Sequence, residues 1–339
     1  MDGVDQDKLD EKALNEQAIK ALNSGTEAWE SFVEQNGKPR IVHGIIEHTN
    51  LEGADLSNIE LNLITINAVN FKNANLDGVK TEGLSVSHSQ LDGASVKGAD
   101  LTNIHIIRST AENSDFRGSN LKGATIAISD FSNADFRDTQ APKQIIAGSN
   151  LTGANLENVE WGSDDKVFGG VLFNHVNMDG AQAAGADFKG ADFIRGSAVA
   201  ANLEGVNLEN TKASHFDLSH SHLSDVKAKG VNFSENVDMV GADLTDADFS
   251  KANLNHADLK NVIAERTDFT DANLMRAKVH GTDMSTAKLD GADMENVDYK
   301  TPFDECLVES EHDVESPSVD AVQPSSAAPS QVVAPTPGG

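Results

Sequence analysis

The sequence is poor in cysteine, aromatic residues and cations, and it has no long apolar run. Its 339 residues include one cysteine, Cys306, which excludes an intrachain disulfide and a zinc site built from several cysteines. No stretch of 18 apolar residues occurs, so the sequence predicts no membrane-spanning helix. Aromatic residues make up 5% of the chain, which is low for the mixed core of an α/β enzyme.

Positive charge is scarce relative to negative charge. The chain has 26 lysines and arginines against 54 aspartates and glutamates, a formal net charge of −28. Phosphate binding requires clustered cations, so we expect neither direct binding of nucleic acid nor binding to an anionic membrane. The sign of the charge favours a protein partner with a basic or nucleic-acid-binding surface. The acidic N-terminal residues lack the pattern of a signal peptide, which predicts a cytoplasmic protein and leaves secretion as an effector open.

Apolar spacing and composition divide the chain into three segments. Residues 1–40 have apolar residues at helical spacing, interrupted by Gly25 and Gly37, and we predict a helical N-terminal cap. Residues 41–300 carry a five-residue repeat. Residues 301–339 are acidic and then rich in Pro, Ser, Ala and Gly. This composition predicts a disordered tail, because it buries too little apolar surface to offset the entropy of ordering.

An apolar residue recurs at every fifth position of the middle segment, and we call these residues the centres. From Ile41 to Trp161 the step of five meets 25 positions, of which 24 are apolar. The phase then slips twice, by two residues between Trp161 and Phe168 and by one residue between Phe233 and Met239. In the last block the residue two places before each centre is small or β-branched, and the residue between them is mostly Asp or Asn.

A period of five matches neither a helix nor a continuous strand, but it fits short extended segments joined by corners. Residues two apart in an extended segment point the same way, so the centre and the small residue face inwards while the intervening Asp or Asn faces outwards. Gly and Asn after the centre tolerate the backbone angles that a corner requires. A chain that turns the same way at each corner winds into a solenoid with its centres stacked inside.

The stretch "ADLTDADFSKANLNHADLKN" (242–261) resembles the pentapeptide-repeat family, whose pattern is A-(D/N)-(L/F)-x-x. The resemblance implies an all-β solenoid, a right-handed quadrilateral β-helix with four units per coil and about 13 coils in this chain. The stretch "AIKALNSGTEAWESF" (18–32) also resembles a segment that precedes many such arrays. Three-sided coils stay open as an alternative for residues 168–233, because alanine recurs there at every third centre: Ala183, Ala198, Ala213 and Ala228.

The outward Asp column is the candidate interaction surface. Residues 41–300 contain 38 acids and 21 lysines and arginines. The resemblance implies one role for the column, because gyrase-protecting and quinolone-resistance members of the family are acidic rods that imitate duplex DNA. The other interpretation is that Asp and Asn hydrogen-bond the neighbouring backbone and belong to the repeat itself. The candidate residues, including two at the first phase slip, are Asp243, Asp248, Asp258, Asp268, Asp164 and Asp165.

No residue pattern predicts catalysis or a cofactor. The sequence has no Gly-x-Ser-x-Gly, P-loop, dinucleotide glycine motif or His-Glu-x-x-His, and a filled solenoid offers no interior pocket. His215, His220 and His222 are close in sequence, but their spacing puts them at different positions around the coil, so no metal site is predicted. We interpret "GSDDKVFGG" (162–170) as a bulge at the phase slip, with a small protruding site as the alternative.

The sequence therefore predicts a non-enzymatic repeat protein that acts as an interaction rod or scaffold for a protein partner. Two alternatives stay open. One is an acidic DNA mimic that inhibits or protects a type II topoisomerase such as gyrase, and the other is a delivered bacterial or phage effector. The sequence does not predict the oligomeric state.

Overall fold

The computed structural model describes residues 6–163 and 170–299, which form two helices followed by a parallel β-solenoid. Helix α1 spans Gln6–Asn23 and α2 spans Thr26–Asn36. Gly25 and Gly37, both with positive φ, flank α2 where the sequence predicts interruptions. Neither helix is long and apolar enough to cross a membrane. The tail predicted at 301–339 lies outside the described residues.

Residues 6–163 and 170–299 contain ten strands, which form one parallel sheet in the order β1-β2-β4-β5-β6-β7-β8-β9-β10, with β3 paired to β2. The nine strands on this path account for nine turns of the solenoid, whereas about 13 coils are expected from the sequence. The numbers differ because single bridges, rather than strands, join the later coils. The strands are β1 Arg40–Glu47, β2 Glu60–Asn67, β3 Lys80–Glu82, β4 Ser85–Ser87, β5 His105–Ile107, β6 Thr125–Ala127, β7 Ile145–Ala147, β8 Leu172–Asn174, β9 Asp192–Ser197 and β10 Lys212–Asp217.

The regular coil contains four of the five-residue units, so it has four sides. Val86 of β4 pairs with Ile106 of β5, which lies four units further along the chain. The same spacing holds where three-sided coils were an alternative, since Phe173 pairs with Phe193 and Phe193 pairs with Ala213. The alanine centres that raised this alternative instead lie one on each side of the tube: Ala183, Ala198, Ala213 and Ala228.

Successive centres of one coil lie on successive sides of the solenoid. We name the four sides A, B, C and D after the centres Leu61, Ile66, Phe71 and Leu76. The outward residue before each of these centres pairs with the residue four units further along the chain, in the next coil. Strands β4 to β8 lie on side B. Strands β1 and β2 run across sides A and B, and β9 and β10 run across sides B and C.

The first phase slip is larger than the sequence predicts. The pairing of Ile146 in β7 with Phe173 in β8 spans more chain than four units, and this coil contains seven extra residues rather than two. The prediction was wrong because counting in steps of five accepts any apolar residue that falls in phase, and Phe168 does so. Residues 164–169, with Phe168 and the candidate acids Asp164 and Asp165, lie outside the described residues.

The second phase slip agrees with the prediction of one extra residue. Lys212 pairs with Asn232 at the regular spacing of four units, whereas the pairing of Asp217 with Asp238 spans one residue more. The extra residue therefore enters the coil between these two pairs. The regular spacing then returns, since Asp238 pairs with Asp258. A single added residue widens one corner without shifting the inward centres of the following coils.

The centres fill the inside of the tube. The rings of Phe116 and Phe136 stack with centroids 5.1 Å apart, and Phe136 meets Trp161 at 5.7 Å. Trp161 is fully buried, and its Nε1 donates a hydrogen bond to Thr139 Oγ1 at 3.0 Å, which satisfies the one polar atom of the indole. Each buried Val, Leu, Ile, Phe or Met centre contributes about 1.5–3 kcal/mol. Two apolar cavities inside the tube measure about 20 and 30 Å³, too small for a substrate.

Helix α1 covers the open edge of the first coil. The side-chain amide of Asn15 donates to the carbonyl of Val42 and accepts the N–H of the same residue, both at 2.9 Å. Asn23, two turns along the helix, bonds the carbonyl of Ile45 and the N–H of Glu47 in the same way, also at 2.9 Å. These amides satisfy backbone groups that would otherwise form an unpaired sheet edge.

Candidate interaction surface

The predicted Asp column does not form one surface. Asp248 and Asp268 pair with each other on side A. Asp258 lies on side C beside Lys278, and Asp243 lies on side D. A step of five residues moves the chain round one corner, so acids that follow one another in the sequence face different directions.

These carboxylates bond the backbone of the corner that follows them. Oδ1 of Asp248 accepts the N–H of Ser250 at 2.9 Å, and Oδ1 of Asp268 accepts the N–H of Thr270 at 2.9 Å. Hydrogen bonds from Thr270, and then from Lys288, lower the pKa of Asp268. This bonding favours the interpretation that the acids belong to the repeat, because each one shapes its own corner.

Several arginines pair with carboxylates of the same array. Arg117 Nη2 lies 2.6 Å from Asp115 Oδ2 across the centre Phe116, and this hydrogen bond lowers the pKa of Asp115. The acid before a centre and the cation after it both point outwards, so the repeat brings them together. The other arginine pairs are Arg137–Asp135, Arg40–Glu60 and Arg266–Asp246.

Along strands β4 to β10, the residue composition of side B differs from that of the other three sides. We call this surface the strand face. It consists of the residues of these strands that lie on side B, together with the corner residue that follows each of these segments. Asp192 is its single acidic residue. The segments of the strand face are residues 85–88, 105–108, 125–128, 145–148, 172–175, 192–195 and 212–215.

The residue types on the strand face explain why regular strands form there. Thr125, Ile145 and Leu172 stand before their centres, where the other sides mostly have Asp or Asn. These residues lack the carboxylate or amide oxygen that accepts the local hydrogen bond of a turn, and β-branched side chains favour an extended backbone. The chain therefore continues as a strand through the centre instead of turning directly after it.

The corner residues of the strand face, apart from Gly148, are bulky although their backbone is left-handed. Arg108, Ile128 and Arg195 have φ values of 51°, 54° and 51°. On the other three sides the corner residue is mostly Gly, Asn or Asp, such as Gly118 and Asn133. A left-handed backbone costs an ordinary residue about 1–2 kcal/mol. Residues held in strained conformations point to a role of the side chain outside folding.

A row of buried serines directly after these corners holds the backbone in place. Oγ of Ser129 donates to the carbonyl of Ala127 at 2.9 Å and so spans Ile128. The same oxygen accepts the N–H of Ser109 at 3.2 Å, which ties one coil to the next. Interior bonds therefore impose the corner, whatever side chain projects from it. The serines of this row are Ser89, Ser109, Ser129 and Ser149.

Replacing Ile128 with asparagine is expected to stabilise the protein, although it removes an apolar side chain. Ile128 is 58% exposed, so little burial is lost, and asparagine adopts the left-handed conformation readily. We expect a gain of about 0.5–1 kcal/mol in the free energy of unfolding, measured with urea. The neighbouring Ile126→Asn, at a buried centre, should be strongly destabilising. A lower unfolding midpoint for Ile128→Asn would show that the corner is not strained.

The arginines of the strand face differ from the arginines described above that pair with carboxylates of the array. Among the residues that the structure describes, no carboxylate lies within ion-pair distance of Arg108 or Arg195, in contrast to the pairs formed elsewhere. The reason is the sequence of side B, where the outward position before the centre holds Ser, Thr, His, Ile or Leu in most coils. His175 and His215 occupy the corners next to Arg195, so this end of the face is rich in nitrogen donors.

The middle of the strand face is apolar. The side chains of Ile128 and Ile145 are 58% and 41% exposed, and Leu172 is half-buried beside them. They lie on the coils between Arg108 and Arg195. The surface therefore has an apolar centre with cationic residues towards both ends of the solenoid axis.

The three histidines noted in the sequence do not meet. His215 lies at the corner after side B, with Nδ1 2.7 Å from the carbonyl oxygen of Glu235. His220 lies at the next corner, and His222 lies on side D in register with Asp243. No group of three or more potential metal ligands occurs in residues 6–163 and 170–299.

Sequence reasoning missed the strand face because it grouped outward residues in steps of five. The signal is present at a step of four units, which is the length of one coil. Reading the sequence at this step from His88 gives Arg108, Ile128 and Gly148, all at corners of one side. The number of sides must be known before this step is chosen.

The sequence matches the family model of pentapeptide repeats in eight copies that together cover more than half of the chain. A comparison with curated protein sequences gives no match. The matched segments are residues 46–83, 70–106, 99–138, 167–195, 201–235, 235–263, 252–291 and 267–298.

Several solved structures resemble the chain in fold. Full-length QnrB1, a plasmid-mediated fluoroquinolone resistance protein, is 20% identical over 68% of this chain and 100% of that chain, with a TM-score of 0.31. HetL, a pentapeptide repeat protein involved in heterocyst differentiation regulation from the cyanobacterium Nostoc sp. strain PCC 7120, is 18% identical over 78% and 91%, with a TM-score of 0.23. The pentapeptide repeat protein Rfr23 from the cyanobacterium Cyanothece 51142 is 16% identical over 55% and 91%, with a TM-score of 0.17.

Proposed function

The chain belongs to the pentapeptide-repeat family, and we propose that it is a non-enzymatic scaffold that binds another protein through the outside of its solenoid. The interior is filled by stacked centres, which leaves the outer sides as the surfaces available for recognition. The observation that carries the proposal is the strand face, where exposed isoleucines lie between arginines that have no carboxylate partner among the described residues.

The composition of the strand face is that of a protein-binding surface. The centres of protein interfaces are depleted in Asp, Glu and Lys and enriched in apolar residues and Arg. The strand face has one acid, three Arg or Lys residues and several aliphatic side chains in an array that is otherwise acidic. Ile128 is an exposed isoleucine at a strained left-handed corner, where Gly or Asn would serve folding equally well. Its presence is explained by a contact with another molecule.

Imitation of DNA by the acidic sides has less support. Duplex DNA carries one phosphate charge per about 1.7 Å of axis. Asp268 on side A binds Lys288 Nζ at 3.1 Å, and Asp258 on side C binds the Nζ atoms of Lys260 at 3.1 Å and Lys278 at 3.4 Å. These ion pairs interrupt the acidic rows, so no single observation favours the mimic as a second function.

The proposal is tested by photo-crosslinking on each of the four sides. The crosslinking amino acid p-benzoylphenylalanine is placed at Thr102 on side A, at Ile128 on the strand face, at Glu112 on side C or at Glu157 on side D, in cells that naturally produce the protein. We expect discrete adducts with another polypeptide from the position on the strand face. Adducts from a different side would keep the scaffold function and move its site. An absence of protein adducts from all four positions would contradict the function itself.

A further inference from the structure

We infer that the strand face binds an extended acidic segment of a partner protein, which has apolar side chains in its middle and a carboxylate towards each end. This inference rests on the proposed function, since it specifies the partner of the same surface. It follows from three features of the face. They are the arginines without a carboxylate among the described residues, the exposed aliphatic side chains between them, and the near absence of acids.

The two arginines are exposed and available to bind a carboxylate from outside the described array. Elsewhere in the array Arg117 and Arg137 each find an aspartate of their own repeat at 2.6 Å. Arg108 and Arg195 have none among the described residues, although the chain contains 54 acids. A guanidinium group presents a planar set of donors that matches a carboxylate, so each of these arginines forms a ready site for one.

The distance between the two arginines sets the spacing of the carboxylates. From Arg108 to Arg195 the corner column advances four coils, through Ile128, Gly148 and His175. At about 4.8 Å per coil this is about 19 Å along the axis. An extended peptide advances about 3.3 Å per residue, so two carboxylates six residues apart on one face of the peptide would reach both arginines.

The aliphatic side chains between the arginines favour apolar residues in the middle of the bound segment. In an extended peptide alternate side chains point the same way, so two residues between the carboxylates face the solenoid. The first of these positions lies over Ile128, and the second lies between the coils that carry Ile145 and Leu172, so apolar residues at both positions cover exposed aliphatic surface. The backbone of the strand face is already paired within the sheet, so recognition depends on side chains rather than on added strand pairing.

A nucleic-acid strand fits the face less well than a polypeptide. Single-stranded nucleic acid binds on surfaces with outward aromatic rings, and the Phe residues of β8 and β9 are buried centres. Asp130 on side C follows the corner at Ile128, and Asp192 shares a strand with Arg195. Both carboxylates lie where a continuous phosphate backbone would pass.

The test measures binding of a defined peptide to the full chain. The probe is a fluorescein-labelled nonapeptide, Ser-Glu-Thr-Val-Thr-Val-Thr-Glu-Ser, whose glutamates and valines share one face when it is extended. We expect a saturable rise in fluorescence anisotropy at low ionic strength that salt weakens. A peptide with lysine in place of both glutamates is expected not to bind. A single-stranded oligonucleotide is expected to bind more weakly than the probe.

The double variant Arg108→Asn with Arg195→Asn is expected to weaken binding of the probe about tenfold or more. Asparagine suits both left-handed corners, and the melting temperature and circular dichroism verify the fold of the variant. Arg276→Asn is the matched control, because Arg276 also occupies a left-handed corner of side B but lies outside the strand face. This control should change the affinity less than twofold.

Four results would overturn the inference. They are no saturable binding of the probe, equal binding of the lysine peptide, equal affinity of the double variant, and tighter binding of the oligonucleotide. Sedimentation velocity tests a second copy of the chain as the occupant, and self-association that the double variant abolishes would replace the acidic segment by that copy. Crosslinked protein adducts without binding of the probe would leave the scaffold function intact and refute only the chemistry inferred for its partner.

Discussion

Replacing Phe249 with aspartate is expected to lower the free energy of unfolding by roughly 4–6 kcal/mol. Phe249 is fully buried, and its ring lies 5.9 Å from Phe269 and 6.4 Å from Phe233 in neighbouring coils. The substitution removes these contacts and places a carboxylate among apolar side chains. Thermal and urea unfolding monitored by circular dichroism measure the loss.

The control for this prediction is the adjacent Asp248→Ser. Asp248 faces outwards and accepts the N–H of Ser250, a hydrogen bond that a serine hydroxyl can also accept. We expect it to cost under about 0.5 kcal/mol. Equal destabilisation by the two substitutions would mean that the inward and outward positions have been assigned incorrectly.

Replacing Trp29 with alanine is expected to detach the helical cap at a cost of about 3–5 kcal/mol. Trp29 is fully buried, stacks on Phe32 at 5.8 Å, and donates from Nε1 to the carbonyl of Asp55 at 2.9 Å. Without this anchor, the bonds from Asn15 and Asn23 that cover β1 are weakened and an edge becomes available for intermolecular pairing. A lower melting temperature together with aggregation in sedimentation velocity would report both effects.

The matched control on the other helix is Leu9→Ala. Leu9 lies on α1 and is 46% exposed, so its truncation should leave the melting temperature nearly unchanged. If Trp29→Ala melts at the temperature of this control and stays monodisperse, the helices do not stabilise the first coil.

The five-residue period was sufficient to predict the inside of the solenoid. A large side chain at every fifth position can be buried only if the chain turns a corner in each unit, so the inward residues followed from the sequence. The length of the first insertion did not follow, because Phe168 lies five residues before Phe173 and so continues the period in the sequence. Pairing between coils, as between Ile146 and Phe173, is needed to count the extra residues.

The candidate surface was harder to predict than the fold. Asp243, Asp248, Asp258 and Asp268 form a regular column in the sequence, but the structure distributes them over three sides. The strand face is invisible at a step of five, since its residues are separated by three other sides. Two features identify this face: large side chains at left-handed corners and, within the described part of the chain, arginines that have no carboxylate partner. Both are recognised only in the three-dimensional structure.

The net charge of the chain also hides the character of this face. A charge of −28 predicts a basic partner, because it averages over all sides and both termini. The strand face has one acid, with Arg108, Arg195 and Lys212 on the same surface. A protein can therefore be strongly acidic overall and still offer a local site for an acidic segment. The basic partner stays a prediction for the other sides.

A charge exchange between protein and peptide tests the central claim most directly. The variant Arg108→Glu with Arg195→Glu is titrated with the glutamate nonapeptide and with its lysine counterpart, next to the unchanged protein. We predict that the variant loses the glutamate peptide and gains the lysine peptide, because the same two positions then present carboxylates at the same spacing. A variant that still prefers the glutamate peptide would contradict the claim that Arg108 and Arg195 recognise the partner.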